Sequence, residues 1–351
     1  MTDVSGSSDG DARHSRLLGM KLRALVVEHL GREPHSVDIG AFPAGAALVA
    51  DGAAWVLIDG PAARALGGAL AWALRRRAAS LNVIAESDTG LLARRAARLA
   101  FPVAIWFAQE RTLLPAVAEP LSEPPSPSAA HLAFSALIAS AGATPNAEHG
   151  VVFGEVRGLE VCRVVDEPTM GYIAEMGDVD PAALVAARGD DGVLLEVGVG
   201  ANDREAFRLL HGDIPTPEAL AVVVEAVAEH RSPEAPQHPL NRLGQERYLR
   251  WHLEQQPDIV GMQRVEPAQP PLPRVNIKDP IPCVASGVGP DGRSHVIVCS
   301  VGVDLDLVGF VADVQATTDD PVIVVLKERD RVPIAQDLLG LLATPVDVRT
   351  V

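Results

Sequence analysis

Lysine is nearly missing from this chain: only Lys21, Lys278 and Lys327 occur, and the other basic residues are arginines. Acids outnumber bases, 46 Asp and Glu against 30 Lys and Arg, giving a formal charge of -16 and a pI near 5.0. A chain so acidic repels phosphate backbones and anionic membranes, which argues against nucleic-acid and membrane partners. Aromatics are sparse at 4%, so the cores must be assembled from Val, Leu, Ile and Ala through many small contacts. Cysteine is limited to Cys162, Cys283 and Cys299, odd in number and without paired spacing. That excludes a disulfide framework and fits small core residues in a reducing compartment. No uninterrupted apolar run reaches the roughly 18 residues of a membrane helix. Residues 1–12 lack the basic start and apolar core of a signal peptide, so the cytoplasm is the expected location. Also absent are a Gly-x-Ser-x-Gly elbow, a His-Glu-x-x-His pair and a Walker loop.

What is present is a pattern written twice. One segment runs from Asp51-Gly52 to about Phe107, the other from Asp291-Gly292 to Val351. Each opens with a hairpin-turn dipeptide and an apolar strand, Trp55-Val56-Leu57-Ile58 or Val296-Ile297-Val298. A helix, a second apolar strand (residues 81–85 or 322–326) and another helix follow. The endings match too, Leu99-Ala100-Phe101-Pro102-Val103 against Leu342-Ala343-Thr344-Pro345-Val346. The first apolar strands lack alternation, so they are expected to be central and covered on both faces.

At 351 residues the chain has room for two or three compact units. Proline-rich stretches at residues 119–129 and 265–274 read as linkers. The expected organisation is a disordered tail (1–15), a first α/β repeat unit (16–118), a middle α/β unit (130–264) and a second α/β repeat unit (275–351). The fold class is α/β with mixed sheets: a duplicated β-hairpin-α-β-α-β module at both ends flanks a distinct middle unit. Within the first repeat unit, residues 16–30 and 61–77 read as helices.

In the middle unit, residues 151–155 and 159–165 form a hairpin turning at Arg157-Gly158. Helices follow at 181–188, 203–210, 216–230 and 240–253, with a strand at 193–197. The order echoes the terminal segments, which leaves a third, diverged copy open.

Chemistry concentrates in that unit. A two-residue turn makes Glu155 and Glu160 direct cross-strand partners, an unfavourable pairing that something must compensate. Glu196 interrupts the apolar strand Val193-Leu194-Leu195-Glu196-Val197. Asp203 and His211 follow on the next helix. One reading makes Glu155, Glu160 and Glu196 ligands of a divalent metal, with Glu160, Glu196, Asp203 and His211 forming the catalytic set of a phosphoesterase or nuclease-like hydrolase. The structural alternative pairs the glutamates with Arg157 and Arg163 and points Glu196 to solvent.

The Gly198-Val199-Gly200 turn reads as a loop capped by Asn202 or Asp203. The helix over 240–253 is expected to turn Leu243, Tyr248, Leu249, Trp251 and Leu253 inward and its arginines outward. Asp304 and Asp306 read as helix-start acids, and the two terminal segments share no polar residue set. The leading expectation is therefore a non-catalytic cytosolic scaffold, regulatory or binding protein with no cofactor. Its partner would be another protein or a second copy of itself, and the metal-dependent hydrolase is the alternative.

Overall fold

A computed structural model describes residues 5–166, 192–211, 216–232, 238–274, 279 and 281–351. The expected helix at 181–188 lies outside them. The architecture is α/β, with three sheets of six, four and five strands. Among the described residues no helix is long and apolar enough to cross a membrane.

The chain forms two compact units. One comprises Met1–Ser122, Gly302–Val322 and Glu328–Asp347, the other Glu123–Val301, Ile323–Lys327 and Val348–Val351. This division differs from the three consecutive units expected. The C-terminal segment splits, its helices joining the first unit and its strands the second, because proline density reports a break in secondary structure and not a break in packing.

The first unit holds the six-stranded sheet, whose strands lie in sequence order: β1 (Val37–Phe42), β2 (Gly45–Ala50), β3 (Ala53–Ile58), β4 (Ser80–Ala85), β5 (Val103–Gln109) and β6 (Thr112–Pro115). Asp51 and Gly52 both take positive φ in a two-residue turn between β2 and β3. β3, β4 and β5 run parallel, joined by α2 (Leu66–Arg75) and α3 (Thr89–Ala96).

One face of this sheet is covered by α1 (Ser5–Leu30), which packs Leu22, Leu25 and Val26 on Leu48, Trp55, Leu57 and Leu113. Residues 5–15 thus belong to a helix instead of a disordered tail: once those leucines anchor the last turns, each added residue gains a backbone hydrogen bond at little cost. α2 starts at Leu66 and not at Pro61, because the Ala62 and Ala63 amides donate to the Asp88 carboxylate (2.9 and 3.1 Å) and hold residues 59–65 as a loop.

Two C-terminal helices complete this unit, α9 (Leu307–Gln315) and α10 (Pro333–Leu339). α9 is buried at every position, against α2 and α3. The matched endings meet each other: Leu99 bridges Leu342, Ala100 N–H donates to Leu341 O (2.8 Å), and Ala343 N–H donates to Arg98 O (2.9 Å). Beside them the fully buried Asp313 accepts from Arg94 (3.0 Å) and Arg95 (2.8 Å). Asp306 does not cap its own helix; its carboxylate accepts from Gly67 N–H in the first turn of α2 (3.0 Å).

Asp88 accepts from the loop after β3, and Asp330 accepts from Gly302 N–H (2.8 Å) in the corresponding loop of the second segment. Sequence spacing hid this, because a carboxylate that ties two loops leaves no local pattern.

In the second unit, β7 (Thr144–Glu148), β8 (Val151–Val156), β9 (Leu159–Asp166) and β10 (Val193–Val197) form an antiparallel sheet in the order β10-β9-β8-β7. The all-antiparallel pairing separates it from the terminal segments, since β3 and β4 pair parallel, and removes the third-copy reading. The short helices α4 (Ala129–Leu132) and α5 (Ser135–Ser140) precede the sheet; α6 (Ala201–His211) and α7 (Thr216–His230) follow it.

α8 (Gln245–Gln255) then lies on a five-stranded sheet ordered β11 (Arg264–Pro267), β12 (Cys283–Val288), β13 (Ser294–Cys299), β14 (Val322–Leu326) and β15 (Asp347–Thr350). Leu249 and Leu253 of α8 pack on Val265, Cys283, Ile297 and Val325. Here Asp291-Gly292 sits in a five-residue loop rather than a two-residue turn.

The expected helix over 240–253 breaks before α8 at Gly244, which takes a positive φ. The buried Arg231 guanidinium donates to the carbonyls of Leu240, Leu243 and Gly244 (2.9, 2.9 and 3.0 Å) and to that of Arg157 (2.8 Å), so the chain leaves its helical path to reach it. Among the described residues only backbone carbonyls accept from it, and burial lowers Arg231 to about 10.

Candidate functional site

The turn residues Arg157 and Gly158 both take positive φ, and Glu155 stands directly opposite Glu160 as their spacing requires. Both glutamates are buried. Gly158 also lets α8 close on the hairpin: a Cβ there would lie 2.3 Å from the Arg247 carbonyl oxygen. That approach brings Arg247 and Arg250, three residues apart and so on one helical face, over the two carboxylates.

The compensation for the like-charge pair is thus a set of arginines. Arg163 binds Glu160 through two parallel bonds (2.8 and 2.9 Å), and Arg204 donates to the same carboxylate (3.0 Å). Arg247 Nη1 stands 3.5 Å from Glu160 and its Nε 3.4 Å from Glu155. Arg250 donates to Glu155 and to Glu254 (2.9 Å), and Arg247 to Glu148. Asn146 donates to Glu155 (2.7 Å), and the Arg247 guanidinium lies 4.6 Å from the Phe153 ring centroid.

Burial by itself would raise the Glu160 carboxyl, but the Arg163 bond and the charges of Arg163, Arg247 and Arg204 outweigh it and hold Glu160 below the ordinary glutamate range. Burial likewise opposes the charge on Arg247 and Arg250; the glutamates overcome it and push both guanidinia up. At Glu254 burial wins and raises the carboxyl.

The sequence-derived candidates separate here. Glu155 and Glu160 come together, and Glu196 reaches them through Arg204 (3.3 Å), which it shares with Glu160. Asp203 is elsewhere engaged: its carboxylate accepts from Val199 N–H (2.6 Å) and closes the glycine turn. His211 ends α6, and its side chain lies outside the described residues. Among the described residues no three His, Cys, Asp or Glu side chains are grouped to hold a metal. Where the metal reading put a cation, guanidinium groups stand.

The cluster members not anticipated are Glu148, Arg204, Arg247, Arg250 and Glu254. The expectation that the α8 arginines face outward is corrected: Leu249 and Leu253 are buried as expected, but so are Arg247 and Arg250. The unpaired Glu155–Glu160 opposition was the available signal for them, since like charges buried together demand counter-ions. A cleft of about 280 Å³ opens beside the cluster, bounded by Glu148, Asn146, Ser135, Leu132 and Gln269. No protein-family model matches the chain, and searches of curated proteins and of solved structures likewise find no match.

Proposed function

We propose that this is a non-catalytic scaffold or binding protein and not a hydrolase. The observation that carries the reading is the closure of the glutamate cluster by Arg163, Arg204, Arg247 and Arg250. A hydrolytic metal site needs carboxylates free to coordinate and an open position for water; buried carboxylates already bonded to guanidinium supply neither.

The common element order of the terminal segments, and the meeting of their matched endings and helices in the first unit, support an internal duplication. What remains for a partner is an edge. β1 ends its sheet, carries neither Lys nor Pro, and leaves Ile39 62% exposed. The occupant we assign to it is a second copy of the chain, because an antiparallel strand edge is self-complementary about a twofold axis.

Thermal unfolding with and without Mg²⁺, Mn²⁺ and Zn²⁺ tests the first part, on the wild type and on Glu196→Ala. No metal-dependent rise is expected; a rise in the wild type that Glu196→Ala abolishes would establish the hydrolase instead. Size-exclusion chromatography with light scattering tests the second part. Ile39→Lys is expected to shift a dimer to monomer, and a wild type that is monomeric at all concentrations overturns the β1 assignment.

A further inference from the structure

We propose that Cys283 and Cys299 form a reversible, oxidant-sensitive disulfide across β12 and β13. The two residues are direct register partners in this antiparallel pair. Opposed residues in such a ladder have Cα atoms about 4.5–5.5 Å apart, inside the roughly 4.4–6.8 Å that a disulfide spans. Both thiols are free, and both lie in the apolar core between the sheet and α8. Cys162, the third cysteine, is buried on β9 in the separate core of the antiparallel sheet and serves as an internal control.

The roles of the two sulfurs differ. Cys299 is fully buried, and the neighbouring Cys283 thiol together with burial raises its thiol far above the ordinary range. Cys283 retains slight exposure and donates its proton to the Glu246 carbonyl of α8 (3.0 Å). Cys283 is therefore the attacking sulfur and Cys299 the resolving one. With a peroxide as oxidant, the Cys283 thiolate attacks one peroxide oxygen, the O–O bond breaks, and hydroxide leaves to take up a proton as water. Cys299 sulfur then attacks the Cys283 sulfenic acid, losing its proton as a second water departs. Two thiols are oxidised by two electrons, and one peroxide is reduced to two waters.

The bond withdraws the S–H donor from Glu246, at the start of the helix that carries Arg247 and Arg250. Oxidation is therefore felt at the arginine and glutamate cluster. Because α8 covers the pair, the rate is set by the opening of that helix and not by the exposed area of the sulfurs.

The test treats the folded full chain with hydrogen peroxide or diamide, then unfolds it and labels thiols with a maleimide for intact-mass and peptide mapping. The expected result is a fall from three labels to one, with Cys162 still labelled, a 283–299 cross-linked peptide, and full restoration by dithiothreitol. Cys299→Ser should fall from two labels to one under peroxide with no cross-linked peptide, Cys283 being held as its sulfenic acid, whereas Cys283→Ser should keep two labels. The wild-type peptide map decides the matter even if neither variant folds. Three labels surviving on folded protein under conditions that oxidise the unfolded chain would overturn the proposal. So would a linkage through Cys162, a bond between chains, or irreversible oxygen addition in place of the cross-link.

Discussion

Glu160 in the second unit is a buried carboxylate and Asp306 in the first a partly buried one, and they respond to desolvation in opposite directions. Glu160 is ringed by Arg163, Arg204 and Arg247 and is held below its ordinary range. At Asp306 burial dominates, and the carboxyl rises to about 6 although Gly67 donates to it and Arg64 lies 3.9 Å away. Desolvation is common to both, so the number and geometry of the counter-charges decide the sign. A bidentate guanidinium inside the protein outweighs it; a single backbone amide and a half-exposed arginine do not.

The largest effect expected from breaking this contrast is at Glu160 itself. Glu160→Gln strips the counter-charge from three arginines, two of them buried, and should cost about 3–5 kcal/mol, read as a lowered urea midpoint with unchanged slope. A loss under about 1 kcal/mol would mean that the guanidinia find water or other acceptors and that the cluster contributes little.

Gly158→Ala comes next, at roughly 2–3 kcal/mol, because it combines a strained positive φ with a Cβ driven against the Arg247 carbonyl. If the variant is as stable as wild type, α8 does not depend on that close approach.

The smallest effect separates the two carboxylates by pH. Asp306 has a raised folded value, so its contribution is fully present below its unfolded value of 3.8 and is lost as pH climbs through about 6. Replacing it in Asp306→Asn should remove on the order of 2 kcal/mol of destabilisation accumulated between pH 4 and 6. Glu160 carries the opposite sign: its contribution is present above its unfolded value of 4.5 and disappears as pH falls through its lower folded value. Urea titrations at several pH values on both variants should flatten opposite limbs of the stability profile. Parallel profiles would show that the two sites do not differ as described.

Strands and turns were legible because their rules are local. Asp51-Gly52 and Arg157-Gly158 form two-residue turns where the dipeptides placed them, whereas Asp291-Gly292 lies in a longer loop closed by Gly289 N–H donating to Arg293 O (2.9 Å). The apolar strand Trp55-Val56-Leu57-Ile58 is buried on both faces, as its lack of alternation indicated. Helix starts were less legible at Pro61 and Leu240, since distant groups, the Asp88 carboxylate and the Arg231 guanidinium, reshape the chain there. The site was half legible: the glutamates were visible, their partners were not. Arg247 and Arg250 looked like surface charge because helical periodicity separates polar from apolar faces without saying whether a polar face meets water or buried carboxylate.

The sequence by itself determined that Glu155 and Glu160 stand opposite each other, because a two-residue turn and the period-two alternation of a strand leave no other register. It also determined the order of elements in the terminal segments. Only the tertiary structure decided which charges answer those glutamates and which unit each C-terminal element joins. Those outcomes depend on packing between residues as far apart as Glu155 and Arg250, or Arg95 and Asp313, and no local rule carries information across such separations.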